Sequence, residues 1–184
     1  MQRNINQLFQ FVSLALVLWG VAAHSIAQGC QVVAARPEIA LGSQRYSADA
    51  DMLFTRQELT VTAECAEEGP ITLLIDGESD VSGQYFRFGT AGRMLVSLLS
   101  MQYNGRDTEL RLSAAQQEER RVSSGQSVIL SPGSQLTTLA SEYAGDDRHL
   151  LTLQLRLDFP ATGNEGRVRD LTELDGQIRF EVYQ

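Results

Sequence analysis

The chain predicts an all-β fold, an antiparallel β-sandwich. Three observations carry this. Apolar residues recur with period two in segment after segment. Turn signals rich in Gly, Asn and Ser separate these segments. No repeat, charge block or proline-rich linker divides the remaining length, so it reads as one domain large enough to bury a core.

The N-terminal segment stands apart. Residues 8–23, "LFQFVSLALVLWGVAA", are apolar but short of the roughly 20 residues a membrane span needs. Arg3 precedes them, and Ser25-Ile26-Ala27 follows with small residues, which is the pattern of a secretory signal peptide. The expected cut follows Ala27, with Ala23 as the second choice. Residues 1–27 are then a signal peptide and residues 28–184 the mature domain. That domain carries 14 arginines, no lysine and 23 carboxylates, a net charge of −9. An acidic, lysine-free surface argues against nucleic acid and anionic lipid as partners. The expected route is export.

Two cysteines remain, Cys30 and Cys65. In an exported chain an even count predicts a disulfide. The bridge would close a loop of roughly 35 residues, worth about 3–4 kcal/mol in the chain-entropy model. The rival reading is a lipid-modified Cys30, because "IAQGC" loosely resembles a lipobox. Gln28 stands where a small residue belongs and Ala27 where Leu is usual, and lipidation would orphan Cys65.

The strands follow in order. "ELTVTAEC" alternates Leu59, Val61, Ala63 and Cys65, and "PITLLIDG" follows an acidic turn, so residues 58–77 read as a hairpin. "QYFRFG" and "RMLVSLLSMQYNG" are two further strand candidates, although "RMLVSLLSMQ" also suits a helical turn or two. Asn104-Gly105 in "YNGRDTELRL" is the strongest hairpin signal. "SAAQQEERR" has no apolar stripe and reads as an exposed loop or hairpin end. "ERRVSSGQSVILSPGSQLTTLASEY" holds two strands broken by Ser131-Pro132-Gly133. "HLLTLQLRLDF" alternates Leu151, Leu153, Leu155, Leu157 and Phe159, and "GQIRFEVYQ" alternates Ile178, Phe180 and Val182. About eight strands with frequent turns suit a sandwich in which the bridge pins the first strand beside its neighbour.

The inventory for catalysis is thin, and no enzyme activity, cofactor or metal is expected. His149 reads as a solvated side chain at a strand edge. The carboxylates of "GDD" at 145–147 and "SADAD" at 47–51 lack the spacing of an EF-hand loop. No glycine-rich phosphate loop opens a helix. Tyr85, Phe86, Arg87, Tyr103 and Arg106 are candidate exposed groups for a recognition surface, though ordinary alternation across a sheet accounts more simply for Tyr85 and Phe86.

Cys30 opening a strand, "LTVTAEC" ending at Cys65, "ITLLIDG" after it and the penultimate Tyr183 together resemble subunits of chaperone–usher fimbriae. The stretch from Cys30 to Gly77 is similar to the related spore-coat-U-type pilins. The resemblance implies an immunoglobulin-like sandwich that is incomplete, whose open groove is filled by a donor strand. A periplasmic chaperone lends that strand first, and another pilin subunit replaces it at the outer-membrane usher. Ile178, Phe180, Val182 and Tyr183 would line or end the groove. Only Gln28 and Gly29 precede Cys30 after the expected cut, so the subunit would accept a donor strand without giving one. The resemblance therefore implies a tip or minor subunit of a cell-surface fimbrium, adhesive in role, with a host or surface receptor among its partners. The alternative is a stand-alone secreted or lipid-anchored periplasmic β-sandwich binding module.

Overall fold

A computed structural model describes residues 29–41, 53–89, 92–115, 117–139, 149–160 and 175–184. The expected signal peptide, "SADAD" and "GDD" lie outside the described residues. The strands are β1 (Gln31–Ala34), β2 (Leu53–Cys65), β3 (Thr72–Asp76), β4 (Phe86–Phe88), β5 (Gly92–Tyr103), β6 (Arg106–Asp107), β7 (Glu109–Ala114), β8 (Gln117–Ser123), β9 (Val128–Leu130), β10 (Ser134–Thr138), β11 (His149–Pro160) and β12 (Arg179–Tyr183). They form two antiparallel sheets packed face to face, an all-β sandwich. One sheet runs β1-β2-β11-β5-β4, with β6 and β9 also paired to β5, and the other runs β12-β3-β10-β7-β8.

The core follows from the alternation. β11 lies between β2 and β5. Leu151, Leu153, Leu155, Leu157 and Phe159 point inward from it and are buried. Leu59, Val61 and Ala63 join them from β2, and Leu73, Ile75, Leu110, Leu112 and Leu136 face them from the other sheet. Burying each large apolar side chain contributes about 1.5–3 kcal/mol. On the outer face of the first sheet, the buried Asp158 carboxylate is held by Arg56 at 2.7 Å and Arg156 at 2.9 Å.

One segment differs from the expectation. Residues 58–77 are not a hairpin: β2 and β3 lie in opposite sheets. The inward faces of β2 and β3 must cover the same core from two sides, and the acidic connection after Cys65 crosses the roughly 10 Å between the sheets. The two strands broken by Ser131-Pro132-Gly133 form as expected, and they too lie in opposite sheets. There β9 pairs with β5 while β10 pairs with β3 and β7, and Gly133 has φ +80° at the crossing.

The ambiguous "RMLVSLLSMQ" is strand throughout. Met94, Val96 and Leu98 are buried, and then Met101 and Tyr103. The phase changes because Leu155 is opposite Leu98 whereas Gln154 is opposite Ser100, a β-bulge that leaves Leu99 over. The Asn104-Gly105 turn forms as expected. Both residues have positive φ, 49° and 78°, as a tight hairpin turn requires. Within "SAAQQEERR", Ser113 and Ala114 end β7 and Gln117 to Arg121 are the first five residues of β8, of which Glu118, Glu119, Arg120 and Arg121 are exposed.

His149 is buried rather than solvated, and its Nδ1 lies 2.7 Å from the Tyr103 hydroxyl. It pairs with Cys65 in the β2–β11 ladder and shares the inward phase of the leucines that follow. Phe86 and Tyr103 are likewise core residues and leave the recognition candidates. Tyr85 is half-buried beneath the Arg93 guanidinium, 5.1 Å from its ring centre. Arg87 and Arg106 are exposed.

Candidate strand-binding seam

β1 and β12 are the end strands of the two sheets, and they touch. Cys30 and Cys65 form a disulfide that ties the start of β1 to the end of β2, with Cα atoms 4.1 Å apart. The ladder continues from it as Gln31 opposite Glu64 and Ala34 opposite Val61. At the far wall, β12 pairs with β3 from Arg179 opposite Asp76 to Tyr183 opposite Thr72. Among the described residues no strand pairs with the remaining edge of β1 or of β12.

The hydrogen bonds on the other side of β3 show which main-chain groups face that remaining edge. In an antiparallel ladder a residue directs its N–H and C=O to the same side, and successive residues alternate. Ile71 O accepts from Thr138 N and Ile75 O from Gly133 N, each at 3.0 Å, so residues 71, 73 and 75 face β10. Thr72, Leu74 and Asp76 therefore face β12 and bond Tyr183, Glu181 and Arg179. Phe180 and Val182 are left directing both polar groups away from β3, into the seam. The same reasoning applies to β1. Ala35 N donates to Thr60 O at 2.9 Å, so Gln31 and Val33 bond β2 while Val32 and Ala34 point outward from the sheet.

The side chains of those same residues turn inward. Cys30, Val32 and Ala34 on one wall are only partly buried against the core, as are Ile178, Phe180 and Val182 on the other. The seam thus offers main-chain donors and acceptors together with incompletely covered apolar side chains. The β8 margin carries charge instead. The exposed edge strand β8 bears Glu118, Glu119, Arg120 and Arg121, the kind of edge that discourages strand addition.

Close contacts hold both ends of β12. Where the chain enters β12, Gly89 N donates to Asp175 O at 2.7 Å. A Cβ on Gly77 would stand 2.6 Å from Gln177 O, so only glycine fits there without movement. At the other end a pocket of about 380 Å³ is lined by Gly29, Cys30, Ala66, Glu67, Val182, Tyr183 and Gln184. The Gln184 side chain crosses it, donating from Nε2 to Glu67 O above the buried Gly69. Its Oε1 lies 3.8 Å from Cys30 Sγ.

Of the residues the sequence singled out, Ile178, Phe180 and Val182 form one inner wall. Tyr183 lines the end pocket, but its side chain is on the solvent face. Its hydroxyl donates to Glu181 Oε2 at 2.8 Å. That bond holds the phenol above its ordinary pKa. Arg179 shares this outer face, 3.6 Å from Asp76 and 3.7 Å from Glu181. Sequence reasoning did not single out Val32 and Ala34 of the opposite wall. Their alternation behind Cys30 was the available signal.

Away from the seam, the turn after β3 is organised by Asp80. Its Oδ1 accepts from the Ser82 hydroxyl at 2.7 Å and from the Ser82 and Tyr85 amides at 3.2 Å. Slight burial pushes this carboxyl upward, and those hydrogen bonds outweigh it and hold it below its ordinary pKa. Among the described residues no three His, Cys, Asp or Glu side chains are grouped to hold a metal ion. No protein-family model matches the chain, and a search of curated proteins returns no match.

Proposed function

We propose that the chain is a structural and adhesive subunit of a bacterial chaperone–usher fimbria, exported through the periplasm, that accepts a donor strand in the seam between β1 and β12. One observation carries the reading. Both walls present main-chain polar groups and half-covered apolar side chains from the same residues: Val32 and Ala34 on one wall, Phe180 and Val182 on the other. β-strand addition uses this pairing, main-chain hydrogen bonds for affinity and alternate side chains in pockets for specificity. The two walls are antiparallel, because the start of β1 and the end of β12 meet at one pocket. An inserted strand runs parallel to one wall and antiparallel to the other. Its partners are then a periplasmic chaperone, an outer-membrane usher and other pilin subunits.

The test is strand uptake. The oxidised chain is mixed with extended peptides of alternating apolar sequence and with scrambled controls. Alternating peptides are expected to bind one to one and raise the melting temperature, and the cognate chaperone should co-purify as a soluble complex. A stable monomer that takes up no alternating peptide refutes the reading and favours a self-complete secreted sandwich. The tip or minor position rests on the cut after Ala27. N-terminal sequencing of the exported protein decides it, with Gln28 first supporting the tip and a longer retained extension indicating a shaft subunit.

A further inference from the structure

We infer that, without a donor strand, two copies of this chain pair through β12 in one antiparallel register, joining their second sheets edge to edge across a two-fold axis. The inference uses the same edge as the donor-strand reading and does not depend on a donor.

The hydrogen-bonding phase restricts the registers. Only residues that direct N–H and C=O to the free edge can bond a second β12, and within the strand these are Phe180 and Val182, with Ile178 in the same phase just before it. A register that sets Phe180 opposite its own copy also sets Ile178 opposite Val182 of the other copy. Each opposed pair exchanges two main-chain bonds, roughly six in all. The apolar side chains of these pairs turn toward the two cores.

Charge then selects among the permitted registers. With Phe180 on the axis, Arg179 of each copy lies opposite Glu181 of the other, on the exposed outer face. These are the non-hydrogen-bonded positions, where opposed side chains come closest. Arg179 is 66% and Glu181 40% exposed at the side chain, so both are available for the contact. The smallest slide that keeps the hydrogen-bonding phase is two residues. In one direction it sets Arg179 opposite Arg179, and in the other Glu181 opposite Glu181. Like charges directly opposed are destabilising and opposite charges favourable. The sequence Arg179-Phe180-Glu181 is therefore self-complementary about Phe180 and in neither neighbouring register.

The experiment is a concentration series by sedimentation equilibrium on the oxidised chain without a donor. A monomer–dimer equilibrium is expected. R179E and E181R each place two like-charged pairs at the interface and should weaken the dimer about tenfold or more. Circular dichroism checks that each variant keeps its fold. Mixing R179E with E181R restores opposite charges across the axis, so heterodimers should form where neither variant dimerises alone. Neither variant retains the Arg179–Glu181 pair within its own strand, so recovery in the mixture reports contact between copies.

A wild-type chain that stays monomeric throughout, or a dimer indifferent to both variants, overturns the inference. Two weakened variants that do not complement on mixing overturn it as well. Donor-peptide uptake by a chain that never dimerises overturns it while leaving the donor-strand reading intact. A charge-sensitive dimer that ignores donor peptides has the opposite outcome.

Discussion

Phe180→Ala tests the inner wall of the seam most directly. Truncating a fully buried Phe costs about 3–5 kcal/mol. Phe180 is packed against the core but only half-buried, on a strand with one paired edge. Scaling the full cost by that burial leaves about 2 kcal/mol. For a domain of this size, about 2 kcal/mol lowers the melting temperature by roughly 4–8 °C. Arg179→Ala, on the opposite face, should stay within about 0.5 kcal/mol, as exposed substitutions usually do. Its ion pairs at 3.6 and 3.7 Å are solvent-exposed and add little. The assay is urea unfolding of dilute, oxidised protein, repeated with a saturating alternating peptide. A bound strand covers the ring, so the cost of Phe180→Ala should rise toward about 3–5 kcal/mol, and peptide affinity should fall accordingly. If Arg179→Ala proves the more damaging change, the register of β12 is wrong by one residue. If the peptide leaves the cost of Phe180→Ala unchanged, the inserted strand does not cover this wall.

Other perturbations test the frame of the seam. Replacing both Cys30 and Cys65 by Ala should cost about 3–4 kcal/mol for a loop of this length, read by urea unfolding. Thiol labelling of the denatured, unreduced wild type should find no free cysteine, and a free Cys65 would revive the lipid-modified alternative. Asp158→Asn leaves Arg56 and Arg156 without their shared carboxylate and should cost about 1–3 kcal/mol at neutral pH. A change below 0.5 kcal/mol would place that network among the surface pairs of little weight. The Glu181 bond raises the Tyr183 pKa, so its contribution to stability is fully present below the ordinary tyrosine range and is lost as pH rises through the folded value. Ultraviolet titration of wild type against Tyr183→Phe isolates this phenol. Glu181→Ala should lower its midpoint, and an unchanged midpoint would remove Glu181 as the cause.

The way each strand pairs was harder to read from sequence than the strands themselves. β2 and β3 look like neighbours in the chain because an acidic turn joins two alternating segments. Local pattern records which face of a strand is apolar, but it does not record which sheet the strand joins. β5 looked partly helical because its bulge shifts the inward phase between Leu98 and Met101, and a shifted period two imitates a longer period. His149 looked solvated because its partner Tyr103 is 46 residues away, and their hydrogen bond exists only once β5 and β11 lie side by side.

By itself the sequence determined the all-β class, the Asn104-Gly105 hairpin, the Cys30–Cys65 pair and the alternation of Ile178, Phe180 and Val182. Each depends on residue chemistry or on spacing within a few residues, apart from the bridge, which depends on there being only two cysteines. The tertiary structure alone decided that β1 and β12 end different sheets and meet, and that Val32 and Ala34 form the second wall. It also decided the direction of the Phe180 and Val182 main chain. That direction depends on the phase of the β3–β10 hydrogen bonds, between strands roughly sixty residues apart, and no local pattern in β12 encodes it.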